Sequence, residues 1–210
     1  MGIELVTTEG VFALDGGAWE VTNNIWLVGD DREVVIIDAA HDHQPIVDAV
    51  NGRRVTAIAC THGHNDHINA AVALREAVDA PILLHPDDQM LWDAVFPDAD
   101  IDAALVPRES LRAAGHTLEI MHTPGHSPGC CCFFDAKAQR VMSGDTLFCG
   151  GPGATGRSYS DEPTILRSIR DRLLTLPGET VVHTGHGDTT TINNERQRVL
   201  DRMSELNLTD

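Results

Sequence analysis

The stretch Thr61-His62-Gly63-His64-Asn65-Asp66-His67 sets three imidazoles and a carboxylate directly after the apolar run Val55–Cys60. Nitrogen and oxygen donors without a thiolate suit Zn, Fe or Mn better than a soft metal. In an extended loop His62 and His64 project to the same side. Asp66 and His67 fall at the entrance of a helix that the apolar spacing of Ile68–Val78 predicts, with Asp66 as its cap. The cluster can therefore offer two ligand sets to two neighbouring points. One or two histidines would be read as surface decoration, but H-x-H-x-D-H at a strand–helix junction is a far more specific pattern.

The elements around it place further polar residues in the same way. Val34–Ile37 is a continuous apolar run, the mark of a buried strand, and it delivers Asp38 to its C-terminal end. His126 lies in the turn Thr123–Gly129 after strand Thr117–His122. Asp145 follows the hairpin of Cys130–Phe134 and Val141–Ser143, and His186 follows strand Thr180–Thr184. Asp38, His62, His64, His126, Asp145 and His186 thus all sit just past a strand, in turns rich in Gly or Pro where side chains converge.

The remaining pattern predicts short strands at Ile3–Val6 and Val11–Leu14, then a hairpin of Asn24–Val28 and Glu33–Asp38. Helices are expected at Gln44–Val50, Gln89–Val95, Ser110–Ala114, Pro163–Leu174 and Ile192–Leu206, with a strand at Pro81–Leu84. Thr146–Asp161 reads as a long Gly-rich loop. Strand clusters interleaved with helices predict sheets covered by helices on their outer faces.

The chain of 210 residues is long enough for a substantial buried core and is expected to form a single domain over 1–210. It has no run of eighteen apolar residues and no basic-then-apolar leader, which argues against a membrane partner and for a cytoplasmic location. The five cysteines, Cys60, Cys130, Cys131, Cys132 and Cys149, make a poor disulfide framework. All five are expected to be small buried hydrophobes. Alternation along a strand sends Cys131 to the face opposite Cys130 and Cys132. A net charge of −17 with no basic stripe excludes nucleic acid as a partner.

With these residues in view, a resemblance is plain. His62-x-His64-x-Asp66-His67, His126 in Pro-Gly-His-Ser-Pro-Gly, Asp145 in Gly-Asp-Thr-Leu-Phe and His186 in Gly-His-Gly resemble, in order, the motifs of the metallo-β-lactamase superfamily. Among its branches the chain is most similar to small glyoxalase II-like hydrolases. The resemblance implies an α/β fold, a four-layer αββα sandwich, with a dinuclear site along one edge. It implies two divalent metal ions, with Zn the first expectation and Fe or Mn the alternatives. His62, His64 and His126 would hold the first ion, Asp66, His67 and His186 the second, with Asp145 between them and Asp38 supporting the ligand loop. Asp66 could also shuttle a proton.

The activity so implied is hydrolysis of small-molecule thioesters by a metal-bridging hydroxide. Glyoxalase II proper continues into a C-terminal helical extension that binds glutathione. This chain stops at Asp210, so a thioester of another small thiol is expected, acted on by a monomer or homodimer. Arg157, Tyr159, His41 and His43 are candidate substrate contacts. His85 is similar in standing to His41 and His43, whereas His116, His122 and His183 are expected to be structural.

Other readings compete. A mononuclear iron persulfide dioxygenase resembles the same scaffold, but all seven ligand positions are filled here. A binding module on this fold would show eroded ligand motifs. Gly125-His126-Ser127-Pro128-Gly129 fits a G-x-S-x-G nucleophile elbow for a serine esterase using Ser127, yet it leads into a strand rather than a helix. Gly151–Ser158 is one residue from a phosphate-binding loop, with Arg157 in place of the lysine.

Overall fold

The computed structural model describes residues 2–208. The first sheet runs in the order β1 (Gly2–Leu14), β2 (Gly17–Gly29), β3 (Glu33–Ile37), β4 (Arg54–Ala59), β5 (Ile82–Leu84) and β6 (Ala103–Ala104). The second runs β14 (Thr190–Thr191), β13 (Val181–Thr184), β10 (Arg140–Gly144), β9 (Cys131–Asp135), β8 (His116–His122) and β7 (Ser110–Ala113). Helices α1 (Gln44–Val50), α2 (Asn65–Ile68), α3 (Ala71–Val78) and α4 (Gln89–Val95) accompany the first sheet. Helices α5 (Glu162–Ser168) and α6 (Ile192–Glu205) accompany the second.

Period-two alternation divides the apolar residues into three layers. Trp26, Val28, Val35 and Ile37 point inward and meet Leu118, Ile120, Cys131, Phe133 and Met142 of the opposite sheet. Ile25, Leu27, Val34 and Ile36 point outward under the first set of helices. Cys132, Phe134 and Val141 point outward under the second. This is the expected αββα sandwich, and it explains why both hydrophobic strand cores read as continuous apolar runs. Cys131 and Cys132 take opposite faces, as alternation requires.

Direction places the site. Strands β3, β4 and β5 are mutually parallel, as are β10 and β13, while β8 and β10 each pair antiparallel with β9. The C-terminal ends of these strands therefore share one edge of the sandwich, where open α/β sheets usually bind ligands.

Several elements differ from expectation. Ser110–Ala113 is strand β7, paired antiparallel with β8, rather than a helix. Its helix-tolerant residues yield to pairing that buries Ala113 against the sheet interface. The two N-terminal segments are one strand, paired without interruption from Gly2↔Gly29 to Leu14↔Gly17. Asp15 and Gly16 close that hairpin with φ of 53° and 75°, the two left-handed residues that a tight hairpin turn requires. The helix expected from Ile68 is broken at Asn69-Ala70 into α2 and α3. Asp66 lies inside α2, whose cap position is His64. Leu147–Phe148 and Gly151–Pro152 pair as β11 and β12 within the Gly-rich loop. The helix after Pro163 widens into a π-helical turn over Ile169–Leu173. Among the described residues no helix is long and apolar enough to cross a membrane.

Candidate metal centre

The structure brings all seven candidate ligands together at that edge. His62 Nε2 and His126 Nε2 each lie 3.0 Å from His64 Nδ1. His67 Nε2 lies 3.1 Å from His186 Nε2, and Asp66 Oδ2 is 3.3 Å from the latter. Asp145 stands between the groups, with Oδ1 3.3 Å from His67 Nε2 and Oδ2 3.5 and 3.4 Å from the Nε2 atoms of His126 and His186.

The outer partners of the rings decide which nitrogens face inward bare. A carbonyl only accepts, so His126 Nδ1 donates to Ala154 O at 2.7 Å and His186 Nδ1 donates to Thr22 O at 2.8 Å. His67 Nδ1 donates to Asp38 Oδ2 at 2.9 Å. The Thr61 hydroxyl gives its one proton to Asp38 Oδ2, so it accepts from His62 Nδ1 at 3.0 Å. Outer-shell hydrogen bonds of this kind fix tautomer and ring orientation at metal sites. In the neutral rings the inward nitrogens are therefore lone pairs packed about 3 Å apart beside two carboxylates, and the buried Asp145 Oδ1 has no hydrogen-bond partner. Such a donor set is suited to holding metal ions.

Without metal, the electrostatics divide the rings into a neutral set and a set on which the carboxylates hold protons that a cation would displace. Burial and neighbouring imidazoles push His62 down and His64 down to about 3, which keeps both neutral. Burial opposes charge at His186, yet the Asp145 and Asp66 carboxylates carry it up to about 10; His67 rises in the same way. Burial would raise Asp66, but His67 and the hydrogen bonds from His186 and Asn23 bring it down to about 2.

Asp38 takes a left-handed φ of 66° just past β3, and its carboxylate accepts from the Thr61 backbone N–H at 2.7 Å. It ties the end of β3 to the ligand loop after β4. Gly185 is required by space: an added Cβ would come 2.3 Å from Asp145 Oδ1.

Beside the centre lies a cavity of about 380 Å³, lined on its apolar side by Phe12, Val21, Phe148, Cys149 and Ala154. Cys149 is exposed there rather than buried, because it follows β11 in the loop that forms the cavity wall. Arg157, Tyr159, His41 and His43 are not among the lining residues. Arg157 stacks on Trp19, 3.7 Å from the ring centroid. Tyr159 is exposed. His41 Nε2 lies 2.9 Å from Asn23 Oδ1, behind the centre, and His43 precedes α1 beside Asp42.

Two residues essential to this geometry carry no motif. Asn23 Nδ2 donates to Asp66 Oδ2 at 3.1 Å. Asp88, fully buried, accepts from Gly63 N–H at 2.8 Å, Gly129 N–H at 2.6 Å and Ser127 Oγ at 2.6 Å, which fastens two ligand loops to each other. Ser127 is itself fully buried and its hydroxyl is committed to Asp88, which removes it from the role of nucleophile. His85 and His122 stack at 4.2 Å with planes 9° apart, near Asp87. Parallel rings do not converge their lone pairs on one point.

The model for the metallo-beta-lactamase superfamily matches residues 18–186, which span every one of these ligands. The chain belongs to the metallo-beta-lactamase superfamily. Its superfamily relatives include the probable metallo-hydrolase YqgX of Bacillus subtilis, 34% identical over 84% of this chain and 90% of that protein. Another is the hydroxyacylglutathione hydrolase GloC of Haemophilus influenzae, 31% identical over 82% of this chain and 88% of its own. Among superfamily structures, TTHA1623 in a di-iron-bound form superposes with a TM-score of 0.72 at 34% identity, covering 84% of this chain and 93% of that one. A metallo-hydrolase family, a His/Asp cluster suited to metal and a di-iron neighbour together make this a metal-binding protein of hydrolase type.

Proposed function

We propose that this chain hydrolyses small-molecule thioesters with the aid of two divalent metal ions. His62, His64 and His126 would hold one ion, Asp66, His67 and His186 the other, and Asp145 would be shared. When bound, the ions supply Lewis acidity and make hydroxide available near neutral pH.

The observation that carries the thioester reading is that, once ions occupy the inward Nε2 atoms of His67 and His186 and displace the protons the carboxylates draw there, none of the ligand side chains offers a proton to a leaving group. His67, His126 and His186 each direct a ring proton outward, to Asp38, Ala154 O and Thr22 O. Asp66, at about 2, holds no proton near neutrality, so ligation rather than proton shuttling is its part in this reading. Asp145 is held low as well, by His67 and His186 against the effect of burial. A leaving group must then depart unprotonated. A thiolate, conjugate to a thiol of pKa about 8.5, does so readily, and an alkoxide does not. Phe12, Val21 and Phe148 shield the acyl portion from water. The likeness to GloC supports the same class.

The test pairs metal analysis with a substrate screen. We expect two metal equivalents per chain, and loss of activity on chelation with recovery on adding Zn²⁺, Fe²⁺ or Mn²⁺. A thioester should turn over at least about a hundredfold faster than the oxygen ester of the same acyl group. Faster cleavage of oxygen esters or lactams would overturn the assignment. A single iron with oxygen uptake on glutathione persulfide would replace it with the dioxygenase reading.

A further inference from the structure

We infer that Arg157 is a specificity residue that receives a carboxylate on the thiol portion of the substrate; this rests on the thioesterase reading above. The guanidinium is held in place before any ligand arrives. Its Cζ lies 3.7 Å from the centroid of Trp19 and 5.9 Å from that of Phe12, and those two rings are 5.7 Å apart. Phe12 in turn lines the cavity and packs 5.2 Å from the His64 ring. One aromatic side chain therefore separates the cation from the proposed ligands, a reach that suits a small thiol.

The loop that carries Arg157 is braced at both ends by the turn that carries His126. Ala154 O accepts from His126 Nδ1 at 2.7 Å, and Asp161 N–H donates to Gly125 O at 2.7 Å. Between these points Ser158 N–H donates to Asp15 Oδ2 at 2.9 Å, and the Ser160 hydroxyl donates to Arg157 O at 2.7 Å. The backbone is fixed, while the guanidinium forms no ion pair within 4.0 Å among the described residues; Asp15, whose carboxylate accepts from Ser158 N–H, lies near enough to feel its charge. The cavity lining holds no lysine or arginine, whereas Asp188 is part of it. In a chain of net charge −17, a small anion entering this cavity finds one preset cation at its aromatic rim. A stacked arginine keeps its planar fork free for a bidentate carboxylate and loses little side-chain entropy in binding it.

The experiment uses lactoyl thioesters of two thiols of similar size, N-acetylcysteine with a carboxylate and N-acetylcysteamine without one, on the metal-loaded enzyme. Arg157→Gln should lower kcat/KM for the carboxylate substrate about tenfold, through KM, and leave the neutral one within about twofold. Arg157→Lys should recover part of the loss. Equal losses on both substrates would assign Arg157 to holding the hairpin and overturn the inference, as would no loss on either. Binding of the matched non-hydrolysable thioethers, followed by calorimetry and by Trp fluorescence, separates the two levels. Carboxylate-dependent, Arg157-dependent binding without turnover sinks the thioesterase reading and retains Arg157. Turnover with charge-independent binding does the reverse.

Discussion

Asp88 shows how one buried side chain can govern a site it does not enter. Its carboxylate is surrounded by the Gly63 and Gly129 N–H groups and the Ser127 hydroxyl, so it joins the loop of His62 and His64 to the turn of His126. Burial pushes its carboxyl up, and those hydrogen bonds partly restore it. Asp88→Ala leaves buried donors without an acceptor, at roughly 1–3 kcal/mol each. Relief of the carboxylate's own desolvation offsets part of this, and a net loss of about 3 kcal/mol is expected in urea denaturation. Metal content should fall with it, because both loops lose their common anchor. Unchanged stability with full metal loading would refute the role. The histidines themselves were legible from the sequence, since each follows a strand in a Gly- or Pro-rich turn. Asn23 and Asp88 were not, because they reach Asp66 and Ser127 across 43 and 39 residues and lie in no local pattern.

At the scale of elements, the hairpin β1–β2 does more than border the first sheet. Its distal half extends past β3 and supplies Phe12 and Val21 to the cavity. Asn65, next to His64, secures it through two hydrogen bonds. Ala13 N–H donates to Asn65 Oδ1 at 2.8 Å, and Asn65 Nδ2 donates to Val11 O at 2.8 Å. Asn65→Ala removes both, and their exposure limits the cost to about 1 kcal/mol of global stability. Local opening should become easier, so amide hydrogen exchange at residues 11–20 is expected to accelerate about fivefold or more while exchange in β3 and β4 stays unchanged. Uniform protection across the hairpin would remove Asn65 from this role. The apolar strands were legible because burial on both faces leaves an unbroken hydrophobic run. The overhang was not, because polar Thr7–Gly10 interrupts the apolar signal and only pairing with Val21–Asn24 holds it extended. Likewise nothing local distinguishes β7 from a helical turn; β8 beside it does.

For the whole molecule, the sandwich depends on two sheets remaining apposed, and His183 makes that apposition sensitive to acid. It sits in β13 with neither ring nitrogen hydrogen-bonded, its ring edge-on to Trp26 of the other sheet at 4.4 Å. Trp26 Nε1 also donates across to Thr184 O at 3.0 Å. Burial, with a smaller contribution from Arg140, takes His183 down to about 4. The sign follows from linkage: the unfolded chain takes up this proton near pH 6.5, and the fold resists it until about pH 4. The contribution of His183 is therefore fully present above pH 6.5, declines as pH falls, and is exhausted below about 4. At about 1.4 kcal/mol per unit it reaches roughly 3 kcal/mol. His62 and His64, lowered in the fold as well, lose stability to the unfolded chain over an overlapping range, so the measurement is a difference between wild type and His183→Phe in identical buffers, metal-free, by chemical denaturation. The stability of the variant relative to wild type should rise by about 3 kcal/mol between pH 7 and pH 4. A difference that stays constant with pH would show that His183 takes its proton inside the fold, and that the contact between the sheets is looser at Trp26 than the edge-on packing requires.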